Sequence, residues 1–148
     1  MKKLFLLLLL IPNVIFALSA TLDDYMSKNP SWNTSDRVSL SYITLRCGVL
    51  FEQISNFYKN GAESQEDYKV LSKNATNFFR VSSDIYKTSC INFDCIKVEK
   101  KASQEKVKKW ALIYKEGLVN NINTYDEMIH GDIKSDLSTC KIKVKPVI

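Results

Sequence analysis

The strongest constraint on the fold is an amphipathic stretch, residues 35–60, that carries a cysteine inside its apolar stripe. Apolar side chains recur there at steps of three and four residues, which is the spacing of one face of an α-helix. The stripe consists of Leu40, Ile43, Cys47, Leu50, Ile54 and Phe57. Ser35 is a good N-cap, Asp36 suits the positive start of a helix, and Asn60-Gly61 provides a C-terminal stop. We therefore expect a long helix at the centre of the fold, with its cysteine turned toward the segment that packs on it.

The first 20 residues have the three parts of a secretory signal peptide. Lys2 and Lys3 form the basic start, residues 4–11 the apolar core, and residues 12–20 the polar end with small side chains. The sequence therefore predicts an exported protein, periplasmic or secreted.

Two positions fit signal-peptide cleavage: we expect it after Ala20, with cleavage after Ser19 as the alternative. An uncleaved membrane anchor is the competing interpretation. Pro12 and Asn13 argue against it, because they interrupt the apolar run that a spanning helix needs. We therefore expect no stable membrane anchor after cleavage.

Residues 21–148 are predicted to form a single helical domain, with an irregular N-terminal segment over 21–34 and an extended tail over 141–148. Loss of two leader lysines lowers the formal net charge from +5 to +3, so the working protein is only mildly basic. Trp32 is the one large apolar residue of the stretch from Pro30 to Asp36. We expect it to fold back on the core.

All four cysteines lie after the leader: Cys47, Cys90, Cys95 and Cys140. An even number in an exported chain is typical of a disulfide framework, and four cysteines allow three connectivities. Cys90 and Cys95 are close enough in sequence to bridge across a turn, so we prefer this pair together with Cys47–Cys140. The competing interpretation is a redox pair at Cys90 and Cys95, but its spacing differs from the CxxC of thioredoxin-like motifs.

Two further stretches have helical spacing. A second helix is predicted from Ser64, which with Asp67 resembles a capping box, to near Cys90. Its smaller, more polar stripe favours a close helix–helix approach or a shallow groove, and it consists of Tyr68, Leu71, Ala75, Phe78, Ser82, Ile85 and Ser89. A third helix is predicted from Ser103 to a stop at His130-Gly131. Trp110 lies beside its stripe, which consists of Val107, Ala111, Tyr114, Leu118, Ile122, Tyr125 and Ile129.

The segments around these helices complete the expected fold. Residues 91–102 join the second helix to the third, either as a connection or as a short helix capped by Asn92. A last short helix, capped by Asp132, places Ile133, Leu137 and Cys140 on one face. The sequence thus predicts an all-α, disulfide-stapled, up-down bundle of three long helices of about 26 residues each and a short C-terminal helix.

Two glycines inside predicted helices point to close packing, because glycine there costs about 1 kcal/mol relative to alanine. Gly48 is expected to let the last helix approach Cys47. Gly117 is interpreted as a second close contact, with the wall of a small pocket as the alternative.

Few residues are available for catalysis. His130 is the single histidine; it could act as a general base, but a histidine placed favourably at a helix C-terminus is the preferred interpretation. With all cysteines in disulfides, a cysteine nucleophile is not expected. The sequence contains no CxxCH motif, no pair of ExxH motifs and no nucleotide-binding glycine motif. We therefore expect no cofactor, no metal site and no catalytic residues.

A basic cluster precedes and enters the third helix. Lys100, Lys101, Lys108 and Lys109 form its candidate contact surface, with acids between the lysines. A solvated helix face is the preferred interpretation of such mixed charge. Contact with an acidic partner or an anionic membrane surface is the alternative. Export and the lack of interleaved aromatic residues argue against nucleic acid.

The sequence does not identify one activity, and three classes of function remain. The preferred one is a non-catalytic module that binds another exported or envelope protein, as an inhibitor, an immunity factor or an envelope-stress adaptor. The second is a small-molecule carrier with a groove near Ser82, Ser89 and Gly117. The third is an enzyme that uses His130 or a Cys90/Cys95 redox pair. The oligomeric state is left open.

Overall fold

The computed structural model describes residues 20–60 and 65–145, and within those ranges it contains helices and short connections but no strand. The predicted all-α class is confirmed. The helices are α1 Leu22–Lys28, α2 Arg37–Asn60, α3 Gln65–Ser89, α4 Phe93–Tyr125 and α5 Gly131–Thr139, and a π-helical turn, Cys140–Val144, follows α5. Most of the predicted signal peptide, residues 1–19, lies outside the described residues.

The N-terminal segment, expected to be largely irregular, contains helix α1. Thr21 and Asp24 form a reciprocal capping box at its start, which satisfies backbone donors that a helix end leaves unpaired. Leu22 and Met26 face the core, and Trp32 beyond the helix is also buried, as predicted. Burial of these three side chains holds the segment against the bundle.

Helix α2 is the centre of the molecule, as the apolar stripe indicated. Ile43, Cys47, Leu50 and Ile54 are fully buried. The predicted N-cap, Ser35, is wrong by one residue. Asp36 caps the helix instead, because its Oδ1 accepts a hydrogen bond of 2.9 Å from the backbone N–H of Ser39.

Helices α2 and α3 are antiparallel and approach closely. Ser82 Oγ donates to the Ser41 carbonyl at 2.9 Å, and Ser41 Oγ donates to the Ser82 carbonyl at 3.2 Å. A methyl group on Gly48 would lie 2.9 Å from the ring of Phe79 and 3.3 Å from Phe78 Cβ. The expectation that Gly48 faces the last helix is therefore wrong: its missing side chain makes room for α3. The proposed capping box of α3 cannot be assessed, since Ser64 lies outside the described residues.

Helix α4 has 33 residues and begins ten residues before the predicted third helix. The predicted cap Asn92 is confirmed, since its side chain accepts from the N–H of Cys95 at 2.9 Å. Because no residue breaks the helix after this cap, residues 93–102 continue directly into it. Near the other end of α4 the predicted stripe is wrong, since Asn121 faces inward and Ile122 does not. The Asn121 amide donates hydrogen bonds to the carbonyls of Met128 and His130 in the following loop.

The predicted helix stop at His130-Gly131 is also wrong. Helix α4 ends earlier, at Tyr125, where Asp126 takes a left-handed conformation with φ 53°. His130 lies at the N-cap position of α5, and Gly131 is its first residue, so Asp132 is not the cap. The loop therefore leaves His130 at a helix start, and the predicted stabilising position at a helix C-terminus is lost.

The last helix joins the bundle through the predicted disulfide, Cys47–Cys140, and both cysteines are fully buried. The extended tail predicted from residue 141 is wrong for residues 141–144, which form the π-helical turn. Val144 is fully buried, and Lys143 Nζ lies 2.8 Å from Asp23 Oδ1 on α1. These contacts hold the turn on the bundle; residues 146–148 lie outside the described range.

Helices long and apolar enough to cross a membrane are absent from the parts of the chain that the structure describes.

Candidate binding crevice between helices α3 and α4

An open crevice separates α3 from α4. Both helices pack on α2 but contact each other little. The floor is the face of α2 that carries Ser41, Tyr42 and Leu45. Since α3 and α4 each pack on α2 and make few contacts with each other, a space remains between them. We call this space the α3–α4 crevice.

The crevice has an inner and an outer part that share Leu45, Tyr86 and Ser103. The inner part has a volume of about 170 Å³ and the outer part about 420 Å³. A cavity of about 150 Å³ can hold a benzene ring, and small-molecule sites begin at about 300 Å³. The inner part therefore fits one large side chain, and the outer part fits a small ligand or a segment of a partner helix.

The lining combines apolar side chains with hydroxyl groups. The apolar members include Val38, Leu45, Phe79, Ile85 and Val107. The hydroxyl members include Ser41, Tyr42, Ser82, Ser83, Tyr86, Ser89 and Ser103. A surface of this kind offers apolar contact area together with hydrogen-bond donors and acceptors that can fix the orientation of a bound group.

The rim of the crevice is positively charged. Arg37, Lys100, Lys106 and Lys108 lie around it, and Glu99 is the acidic residue among the lining side chains. Arg37 is held at the rim, because its guanidinium donates to Thr88 Oγ1 at 3.2 Å. An occupant with acidic groups beside an apolar face would complement this crevice.

Tyr42 forms part of the inner wall. Its ring lies 4.6 Å from that of Tyr25 and 6.4 Å from that of Trp110, between ring centroids. Burial raises the pKa of the Tyr42 hydroxyl. Arg46 and Trp110 hydrogen-bond to the same hydroxyl, so Tyr42 joins the crevice wall to the buried residues around Arg46.

The predicted disulfide Cys90–Cys95 is confirmed and forms the end of the inner part. It links the last residue before the turn to the first turn of α4. Both cysteines are half-buried. The chain offers no free thiol among its described residues.

The structure divides the four lysines of the predicted contact surface. Lys100 and Lys108 line the outer part of the crevice, whereas Lys101 and Lys109 are exposed on other sides of α4. Of the residues named for a groove, Ser82 and Ser89 line the crevice. Gly117 lies elsewhere, in close contact with Ile133 on α5.

Next to Tyr42, which contacts Arg46 and Trp110, a buried polar network ties four elements together. Arg46 Nη2 lies 2.6 Å from Asp136 Oδ2, and the two side chains are 1% and 0% exposed. Tyr114 on α4 accepts from Arg46 Nε at 2.8 Å and donates to Asp136 Oδ2 at 2.6 Å. Asp136 also accepts from the N–H of Leu22 at 2.6 Å, and Arg46 donates to the Ala20 carbonyl at 2.8 Å.

The network is fully satisfied and closed to solvent. The Arg46 guanidinium also lies over the ring of Trp110, 3.8 Å from its centroid. Burial would lower the pKa of Arg46, but Tyr114 and Asp136 outweigh it and raise that pKa. Burial and the adjacent carboxylate hold the pKa of Tyr114 well above its ordinary value. Arginine stays charged and tyrosine neutral, so this network is structural and has no access for a substrate.

His130 lies outside the crevice. It is stacked on Tyr125, with 4.0 Å between ring centroids, and its Nδ1 lies 3.2 Å from Glu127 Oε2. Both members of the pair are largely exposed to solvent. Within the described ranges, no group of three or more histidine, cysteine or acidic side chains is arranged to hold a metal ion.

Sequence reasoning missed the ion pair although a signal was present. Arg46 lies between Ile43 and Leu50 in the apolar stripe of α2, and Asp136 shares a face with Cys140 on α5. Arg46 and Asp136 have opposite charges and lie on apolar faces that the predicted Cys47–Cys140 disulfide joins. This combination indicates a buried ion pair. The crevice floor at Tyr42 and Leu45 had no such signal, because it depends on the angle between α3 and α4.

Compared with protein-family models, curated protein sequences and solved structures, the chain matches none of them.

Proposed function

We propose that this is an exported, non-catalytic protein that binds another exported or envelope protein through the α3–α4 crevice. The observation that carries the proposal is the open crevice itself, with a lining of apolar and hydroxyl side chains and four cations around its rim. An amphipathic helix that places its apolar face in a groove is a recurrent mode of protein recognition. The expected partner segment has one large apolar anchor for the inner part and acidic residues toward the rim.

The rigid frame around the crevice supports a binding role. The two serines that hold α2 against α3 fix the floor relative to one wall. The Cys90–Cys95 disulfide fixes the start of the other wall. A surface that is already ordered loses less conformational entropy on binding than a flexible one.

Photo-cross-linking tests this role in cells that export the protein. A photoreactive amino acid replaces Ser83 in the crevice wall, and Lys134 on α5 is the matched exposed control. We expect a discrete protein adduct from position 83 and none from position 134. The adduct should disappear when Val107→Trp fills the crevice, but persist with Lys109→Trp outside it. Equal labelling from positions 83 and 134 would contradict the proposal.

A small-molecule carrier is the second candidate, because the outer part of the crevice has ligand-sized volume and many hydroxyl groups. Native mass spectrometry of the purified exported protein distinguishes it from the first. A bound small mass that Val107→Trp removes would favour the carrier. An unliganded mass together with the protein adduct favours protein binding.

Export also makes a proposal about processing possible. The Ala20 carbonyl accepts a hydrogen bond from the buried guanidinium of Arg46. Cleavage after Ala20 would remove this acceptor, whereas cleavage after Ser19 would retain it. In place of the cleavage after Ala20 expected from the sequence, we propose cleavage after Ser19, so that the mature chain begins at Ala20. The intact mass of the exported protein tests this directly, and a chain that begins at Thr21 would contradict it.

A further inference from the structure

The turn between α3 and α4 projects apolar side chains into solvent. Ile91 is 100% exposed, Phe93 is 78% exposed, and Val98 on the next turn of α4 is 66% exposed. Val38 of α2, which lines the same cavity as Cys90 and Cys95, is 73% exposed. We call these four residues the apolar tip.

The apolar tip is held in place by covalent and hydrogen bonds. The Cys90–Cys95 disulfide closes the turn on both sides of Ile91 and Phe93. Between them, Asn92 caps α4. A turn fixed in this way cannot fold its apolar side chains back onto the bundle, so they remain available to an external apolar phase. Exposed apolar clusters of this kind mark interaction sites.

The excess positive charge lies along the first half of α4, which leads away from the apolar tip. Residues 93–109 contain six lysines and three acidic residues, a net charge of +3. Residues 21–148 as a whole also carry +3, so the rest of that chain is electrically balanced. Lys97, Lys100 and Lys101 follow Phe93 within two turns of α4 and are exposed.

Exposed apolar side chains next to exposed lysines on the same helix match the interface of an anionic bilayer. The apolar groups enter the boundary of the acyl chains, and the lysines meet the negative headgroups. A protein partner would more often present a concave apolar site to such a tip. The lysines on the same helix favour the lipid surface, because its negative charge is spread over the whole contact area.

We propose that the apolar tip docks the protein peripherally on membranes that contain anionic lipids. Docking in this orientation leaves the α3–α4 crevice beside the bilayer. The test of this inference rests on Ile91 and Phe93, which do not line the crevice, although Val38 of the apolar tip does.

Vesicle co-sedimentation of the full exported chain tests the proposal. The probes are vesicles of phosphatidylcholine with phosphatidylglycerol, and of phosphatidylcholine alone. We expect binding to the anionic vesicles that weakens as salt is raised. Ile91→Ser/Phe93→Ser should weaken it by about tenfold or more. Lys97→Gln/Lys101→Gln should weaken it by about fivefold for each lysine removed.

The matched controls lie on the same protein. Leu112→Ser/Val119→Ser removes two exposed apolar side chains from a distant part of α4 and should bind as the wild type does. Lys134→Gln/Lys141→Gln removes two charges elsewhere and should have little effect. Circular dichroism establishes that each variant is folded before binding is compared.

A spectroscopic readout tests insertion itself. Trp32 and Trp110 are both buried, so Phe93→Trp adds the one exposed indole among the described residues. Its emission should shift to shorter wavelength with anionic vesicles. Absence of binding to anionic vesicles would overturn the proposal, as would equal binding by the Ile91→Ser/Phe93→Ser variant. If the Ile91→Ser/Phe93→Ser variant loses the protein adduct in the cross-linking experiment, and no form of the protein binds vesicles, the apolar tip contacts a protein partner instead.

Discussion

The two disulfides hold regions of different character. Cys47–Cys140 is fully buried and lies beside the Arg46–Asp136 ion pair, where α1, α2, α4 and α5 meet. Cys90–Cys95 is half-buried and closes a turn that carries exposed apolar side chains at the end of an open crevice. One disulfide fixes a packed interior, and the other fixes a surface.

Neighbouring residues on α2 show the same contrast. Arg46, a charged residue, is completely enclosed and paired, whereas Leu45, an apolar residue, forms part of the crevice floor. Both side chains are buried, but Arg46 is enclosed by its polar partners whereas Leu45 lies beneath the open crevice. Specific polar partners stabilise the closed part of the bundle, whereas the crevice remains because α3 and α4 each pack on α2 with little contact between them.

The largest expected effect compares the disulfides directly. Closing a loop of 93 residues stabilises by about 4–5 kcal/mol on the loop-entropy model, and closing one of five residues by about 2 kcal/mol. Cys47→Ala/Cys140→Ala should therefore lower the free energy of unfolding by about twice as much as Cys90→Ala/Cys95→Ala. Urea denaturation measures both. Equal losses would contradict the distinction between the two regions.

Asp136→Asn should give the next largest effect, because it leaves the buried Arg46 charge uncompensated. Breaking a buried pair by removing one partner costs about 3–5 kcal/mol. Asp132→Asn, an exposed position on the same helix, is the matched control and should change stability little. Arg46→Met/Asp136→Leu should remain destabilised, since the N–H of Leu22 loses its acceptor. If denaturation curves show no decrease in the free energy of unfolding for Asp136→Asn, the buried network does not stabilise the fold as described.

Gly48→Ala tests the close packing between α2 and α3. The added methyl group would meet the Phe79 ring at 2.9 Å, and overpacking of this kind costs about 1–3 kcal/mol. Gly117→Ala would meet only the flexible end of Ile133. The gain in helix propensity, about 1 kcal/mol, should offset much of that contact. Thermal unfolding of the two variants should therefore show the larger loss at Gly48, and the reverse order would contradict the packing described.

Glu52→Gln should have the smallest effect and the opposite sign. Burial raises the pKa of Glu52. The protonated carboxyl group therefore favours the folded state at a pH below its ordinary pKa. This stabilisation is lost as the pH rises and the group ionises. Replacing it with glutamine should increase the free energy of unfolding at pH 7 by up to about 0.5 kcal/mol after allowance for solvent screening. The gain should vanish below pH 4, and urea denaturation at both pH values measures it. Glu105→Gln is the exposed control, and an equal gain there would contradict the assignment.

The same physics decides how much could be predicted from the sequence. The disulfides and the central stripe were predictable, because period and cysteine position are local properties of the chain. The ends of α4 were not, since Asn121 faces inward to hold loop carbonyls that only the folded turn brings near it. Of Ser82, Ser89 and Gly117, which the sequence suggested for a groove, the two serines line the crevice and Gly117 does not. The floor and volume of the crevice depend on helix crossing angles that no single segment encodes.

Native-state hydrogen exchange, measured before and after mild reduction of the half-buried Cys90–Cys95 disulfide, tests the central contrast most directly. We expect that amides of α2 between Ile43 and Ile54 exchange only through global unfolding. Amides in the first turns of α4, residues 97–106, should exchange through local opening, and reduction of Cys90–Cys95 should accelerate them alone. Uniform protection of both segments, or an equal response to reduction throughout the bundle, would contradict the division into a packed side and an open crevice.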